Sequence, residues 1–125
     1  MNFIGTWEGT CKQFTKIGDN FKGSKYVYTK CTKKGAVESF KSQFVVHYQK
    51  DDVIKGNYID VKKPNHESND VVGMITDSGK CVTLVNYCGT AKMNVIDNNT
   101  IELIFFNVEF KEFQILSHVI YKRVK

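Results

Sequence analysis

Hydrophobic and polar residues alternate one by one through most of the chain, and a period of two predicts strands rather than helices. Nine runs carry this pattern: Ile4–Phe14, Lys25–Thr32, Ser39–Gln49, Val53–Val61, Val71–Thr76, Cys81–Tyr87, Ala91–Ile96, Thr100–Val108 and Phe113–Val124. The third is the clearest. Phe40, Ser42, Phe44, Val46 and Tyr48 share one face, while Lys41, Gln43, His47 and Gln49 share the other. The last run places Phe113, Ile115, Ser117, Val119, Tyr121 and Arg123 together. No stretch longer than about 12 residues has the periodicity of an amphipathic helix.

The connections carry turn chemistry. Lys50-Asp51-Asp52, Asp77-Ser78-Gly79-Lys80 and Asp97-Asn98-Asn99 read as hairpin turns, because Asp, Asn and Gly tolerate the positive φ that tight hairpins need. Two connections are longer: Thr15–Ser24, and Lys63–Asp70 with the only proline, Pro64. Gly56, Gly73 and Gly89 recur at intervals of about one hairpin, which fits strands bending in a meander. Sequential hairpins give an antiparallel up-and-down sheet, and closure removes its exposed edges. The expectation is therefore an all-β, single-domain antiparallel barrel of eight to nine strands spanning residues 1–125, with little or no helix.

Composition changes this picture little. The chain has 125 residues, 42% hydrophobic and 25% charged, which is ordinary for a globular protein. Its net charge is +5, concentrated in residues 1–63. The basic residues are nearly all Lys and lie scattered between strands, whereas base readout and bidentate phosphate binding favour Arg. A solvated basic surface is expected, and nucleic acid is not the expected partner. Cys11, Cys31, Cys81 and Cys88 form no Cys-x-x-Cys pair. They allow three disulfide pairings, and spacing does not choose among them. The absence of a leader-like start and of an apolar run near 18 residues suggests a cytoplasmic protein with free thiols and no membrane span.

The two ends of the chain belong together. Gly5-Thr6-Trp7 holds the only Trp, and Tyr121-Lys122-Arg123 holds the only Arg. This pairing resembles the calycin superfamily, which groups lipocalins, fatty-acid-binding proteins and avidins. Its members begin with Gly-x-Trp on the first strand, and in many a basic residue on the last strand packs over that Trp. The resemblance implies that Trp7 and Arg123 close the barrel floor, an arrangement that suits a guanidinium over an indole face. The subfamily stays unassigned. Thr15–Ser24 is short for the two helices of a fatty-acid-binding protein, and one Trp is few for an avidin. The segment from Leu116 to Lys122 is also similar to the last strand of nitrobindin, a haem-binding barrel. There the haem-ligating His aligns with Leu116, so haem would need His118 instead.

Candidate ligand-binding residues follow from the inward faces: Phe40, Phe44, Val46, Tyr48, Phe105, Ile115, Ser117 and Tyr121, with Ile59, Leu103 and Phe113 also expected inside. Tyr121, Arg123 and Ser117 on one face would suit a ligand carboxylate. His47 reads as a surface residue, and His66 beside Glu67 and Asp70 offers poor geometry for a metal. No Ser–His–Asp order, catalytic carboxylate pair or Gly-rich phosphate loop is present, so no catalytic residue is assigned. No cofactor or metal is expected. The pattern favours a barrel that binds a small hydrophobic molecule, with an acidic group on that molecule as one form of the expectation. A filled barrel acting as a surface module for a protein or nucleic acid, and a haem-binding or enzymatic calycin, are the alternatives.

Overall fold

The computed structural model describes residues 1–17, 37–60, 68–86, 89–110 and 113–124. They form eight strands: β1 (Gly5–Ile17), β2 (Val37–Lys50), β3 (Val53–Asp60), β4 (Ser68–Thr76), β5 (Cys81–Asn86), β6 (Gly89–Asp97), β7 (Thr100–Phe110) and β8 (Phe113–Arg123). Each strand pairs antiparallel with the next, and β8 pairs with β1, so the sheet closes into a barrel. The expected fold class therefore stands, with eight strands in simple up-and-down order. The expected strand at Lys25–Thr32 lies outside the described residues. Among the described residues no helix is long and apolar enough to cross a membrane.

The barrel has two unlike ends. The hairpin turns after β2, β4 and β6 lie at one end, here called the floor, together with the start of β1 and the end of β8. The other end, the mouth, is where β1, β3, β5 and β7 finish. At the floor the turn chemistry read from the sequence is visible. Asp51 and Asp52 take φ of 53° and 64°, the paired positive values of a two-residue hairpin that matches strand twist. Asp77, Ser78 and Gly79 are also positive, at 53°, 54° and 89°. Asn99 N–H donates to Asp97 Oδ1 at 2.8 Å and closes the third turn.

A non-glycine residue in the left-handed region costs roughly 1 kcal/mol. Asp52→Gly should therefore raise stability by about 0.5–1 kcal/mol, read as a higher urea midpoint with an unchanged slope. An unchanged or lower midpoint would show that the Asp52 side chain compensates for its backbone.

Two glycines are required by close approach. A Cβ on Gly56 would collide with the carbonyl oxygen of Val45, and one on Gly9 would collide with that of Ile120. Gly56 sits beside a β-bulge. Val46 faces Gly56, but Tyr48 faces Lys55, so β2 carries one residue more than β3 at this point. The extra residue reverses the facing of everything after it. Tyr48, expected inside, is 38% exposed, and the Lys55 ammonium lies 4.7 Å from its ring centroid on the outer wall. Gln49, expected outside, reaches the floor: it accepts from Phe3 N–H at 2.7 Å and donates to the Met1 carbonyl at 2.8 Å. His47 is exposed, as expected.

Candidate functional site

The barrel interior is built in layers, because residues paired across strands share a level and a face. At the floor Trp7 and Phe3 are fully buried, and Trp7 Nε1–H donates to the Phe3 carbonyl at 3.0 Å. The Arg123 guanidinium lies over the indole, 4.2 Å from the ring centroid. It donates to the carbonyls of Asn2 (2.8 Å), Ile4 (3.1 Å) and Asn98 (3.1 Å). One side chain thus ties the N-terminal segment and the turn after β6 to the last strand. Val46 and Phe44 complete this level and are also buried.

The next level holds a buried polar pair. Ser42 on β2 and Tyr121 on β8 flank β1, and both pair in register with Gly9. Gly9 has no side chain to separate them, and their hydroxyls share a hydrogen bond of 2.6 Å. Burial away from water pushes the Tyr121 phenol far above its ordinary value of 10.0; the Ser42 hydrogen bond opposes this in part, and Cys11 adds to it. Tyr121 is therefore a neutral phenol. The Phe44 and Tyr121 rings are tilted, with centroids 6.1 Å apart.

Above this pair lies an apolar layer of Phe40, Cys11, Val119, Leu103 and Met93, all buried and joined in register. Cys11 is turned inward, as its parity with Trp7 suggests. One step nearer the mouth the row changes character: Ala91, Phe105, Ser117, Gln13 and Glu38 follow one another across five strands. Ser117 Oγ–H donates to Gln13 Oε1 at 3.0 Å inside the barrel. Ile115 is buried one further step toward the mouth.

Trp7, Tyr121 and Phe3 are 0% exposed, whereas Phe105, on the Ser117–Gln13 row, faces inward, packs against the core and is only half-buried. Tyr58, in register with Phe44, and Ile75 and Val95 beside the floor turns are also half-buried against the core.

Several expectations need correction. Tyr121, Arg123 and Ser117 do not converge on one point. Arg123 is turned to the floor with its donors on backbone carbonyls, and Ser117 lies two levels above Tyr121. Ile59 pairs with Gln43, which bonds Glu8 on the outer wall, so Ile59 faces outward and not into the core. His118 also faces outward. Its ring nitrogen lies 2.9 Å from Glu102 Oε2 and is half-exposed, so it does not reach a haem inside the barrel. The side chain of Phe113, and Cys31, Cys88 and His66, lie outside the described residues. Cys81 is half-buried on the outer wall beside Asn94. Among the described residues, no group of three His, Cys, Asp or Glu side chains is arranged to hold a metal ion.

Inward residues that were missed include Gln13, Glu38 and Tyr58. Gln13 shares parity with Trp7 and Cys11, and a polar residue on that face was the available signal. Glu38 fell one residue before the expected start of its strand.

No protein-family model and no curated protein matches the chain. Among solved structures it is similar to the zebrafish ileal bile acid-binding protein complexed with cholic acid, at 12% identity and a TM-score of 0.45 over 98% of each chain.

Proposed function

We propose that the protein binds a small, largely apolar molecule in the mouth half of its barrel. One observation carries this reading. Phe105 points inward on the Ser117–Gln13 row and still meets solvent, while Trp7, Phe3 and Tyr121 beneath it are fully buried. A filled barrel would bury it. Side chains at this level are apolar on β6 and β7 and polar on β8, β1 and β2, the mixture that holds and orients a small ligand.

The test uses N-phenyl-1-naphthylamine, a neutral dye that brightens in apolar surroundings. Saturable binding near one dye per chain is expected. Phe105→Glu should weaken it tenfold or more by placing a charge on the apolar wall. Absence of binding would overturn the proposal. It would turn attention to the surface reading, which one feature favours: Leu116, Phe14 and Val37 stand side by side on the outer wall, 55%, 41% and 67% exposed.

A further inference from the structure

Solvent reaches Phe105 and goes no deeper. Phe105 is half-buried, but Leu103, the next inward residue down β7, is only 4% exposed. Leu103 belongs to a row joined in register across six strands: Phe40, Cys11, Val119, Leu103, Met93 and Val82. None of the six is more than 7% exposed, and Cys11 and Met93 are at 0%. A gap wide enough for water beneath Phe105 would leave its walls accessible, so this row is packed shut. The other two strands close the same core with Ile54 on β3 and Val71 on β4, both buried.

The space above that stop is short. Beyond the row that holds Gln13 and Phe105, β1 runs four residues to Ile17 and β7 runs five to Phe110. At about 3.3 Å per residue this is roughly 13–16 Å along the strands. With the roughly 40° tilt of strands in a barrel it is about 10–12 Å of height, the length of an extended chain of about eight to ten carbons. The bottom of that space is hydrocarbon. Leu103 stands between Met93 and Val119 in register, with Ile101 one inward position further down its own strand.

We infer that the barrel selects its ligand by length: an apolar group of about eight to ten carbons enters from the mouth and its far end rests on Leu103 and Met93, the specificity-determining residues. This rests on the reading that the mouth half of the lumen is the binding site. Carbons beyond that length stay in water and add no affinity. Leu103 is the sharper determinant, because it lies directly below Phe105 on the same strand. Shortening it extends the site downward, because a void lined by apolar side chains accepts an apolar guest.

The experiment displaces bound N-phenyl-1-naphthylamine from the full chain with hexanol, octanol, decanol and dodecanol, each below its solubility limit. Each CH₂ that enters the site should tighten binding by roughly a factor of four. The step from hexanol to octanol is therefore expected to be at least tenfold, and the step from decanol to dodecanol under twofold. Leu103→Ala should raise the decanol-to-dodecanol step to at least fivefold. Met93→Ala, on the neighbouring strand, shortens the same stop and should raise it too. Ile101→Val, a truncation walled off behind Leu103, should leave every step unaltered. A tenfold step persisting to dodecanol in the natural protein would overturn the inference while leaving the cavity standing. So would unchanged steps in Leu103→Ala and Met93→Ala variants that still unfold cooperatively in urea. Failure of the dye to bind at all would overturn the cavity and the inference together.

Discussion

Trp7→Ala is expected to lower stability by about 4 kcal/mol, within the ~3–5 kcal/mol typical of removing a large buried aromatic. Trp7 is fully buried, its indole N–H is satisfied by the Phe3 carbonyl, and its face carries the Arg123 guanidinium. For a chain of this size the loss corresponds to a fall in Tm of roughly 12–20 °C. Total stabilities of roughly 5–15 kcal/mol make that a large share. Arg123→Ala should cost less, about 2–3 kcal/mol, because its guanidinium is partly solvated and water replaces some of its hydrogen bonds. Arg123→Lys should recover under half of that. A single ammonium cannot span the carbonyls of Asn2, Ile4 and Asn98 as a planar fork does. The two sites form one unit, so the double Ala variant should lose about 1 kcal/mol less than the sum of the singles. Urea unfolding of the four proteins checks this. Strict additivity would mean that the guanidinium–indole contact contributes nothing and that the floor is held by Phe3 and Gln49.

The closure of the barrel was legible because it is written in rare residues. One Trp near the start and one Arg near the end are hard to place except against each other in a meander. The strands were legible because alternation is local. Along β2 it predicts every facing correctly from Phe40 to Val46. It then fails at Tyr48 for a physical reason: a bulge adds one residue, and a period-two pattern carries no mark of where the count slips. Tyr48 and Gln49 exchange sides in consequence. Gly56, opposite the bulge, was the faint signal, and it was read only as a bend.

The site was less legible than the fold. Ser117 and Gln13 are 104 residues apart, and Ser42 and Tyr121 are 79 apart. Facing can be read from a single strand, but level depends on register between strands, which turns and bulges set. A sequence reader could know that Tyr121, Ser117 and Arg123 share a face. The reader could not know that they occupy three separate heights, one of them already committed to the floor. The same limit hid the polar side of the mouth row. Glu38 and Gln13 look unremarkable in their own strands and come side by side with Ser117 only once β8, β1 and β2 are aligned.

Tyr121 should impose a steep loss of stability at alkaline pH. Its folded-state ionisation lies far above the ordinary 10.0, chiefly because it is fully buried. Below pH 10 both the folded and the unfolded chain hold this proton, so the group adds no pH dependence. Above pH 10 the unfolded chain releases the proton and the folded chain keeps it. The unfolded state then binds fewer protons, and unfolding free energy falls by about 1.4 kcal/mol per pH unit on this account alone. Between pH 10 and 12 the contribution approaches roughly 2.7 kcal/mol. Other Tyr and Lys residues titrate in the same range, so the measurement is a difference. Unfolding free energies of the natural protein and Tyr121→Phe are compared from pH 8 to 12. At pH 8 the variant should be less stable by about 1–2 kcal/mol, because Ser42 loses its buried partner. Adding Ser42→Ala should restore part of that loss, since both members of the pair are then apolar. As pH rises the curves should converge and cross, the variant becoming the more stable protein near pH 11–12. Parallel curves would mean that Tyr121 ionises as readily folded as unfolded, which is incompatible with a sealed floor.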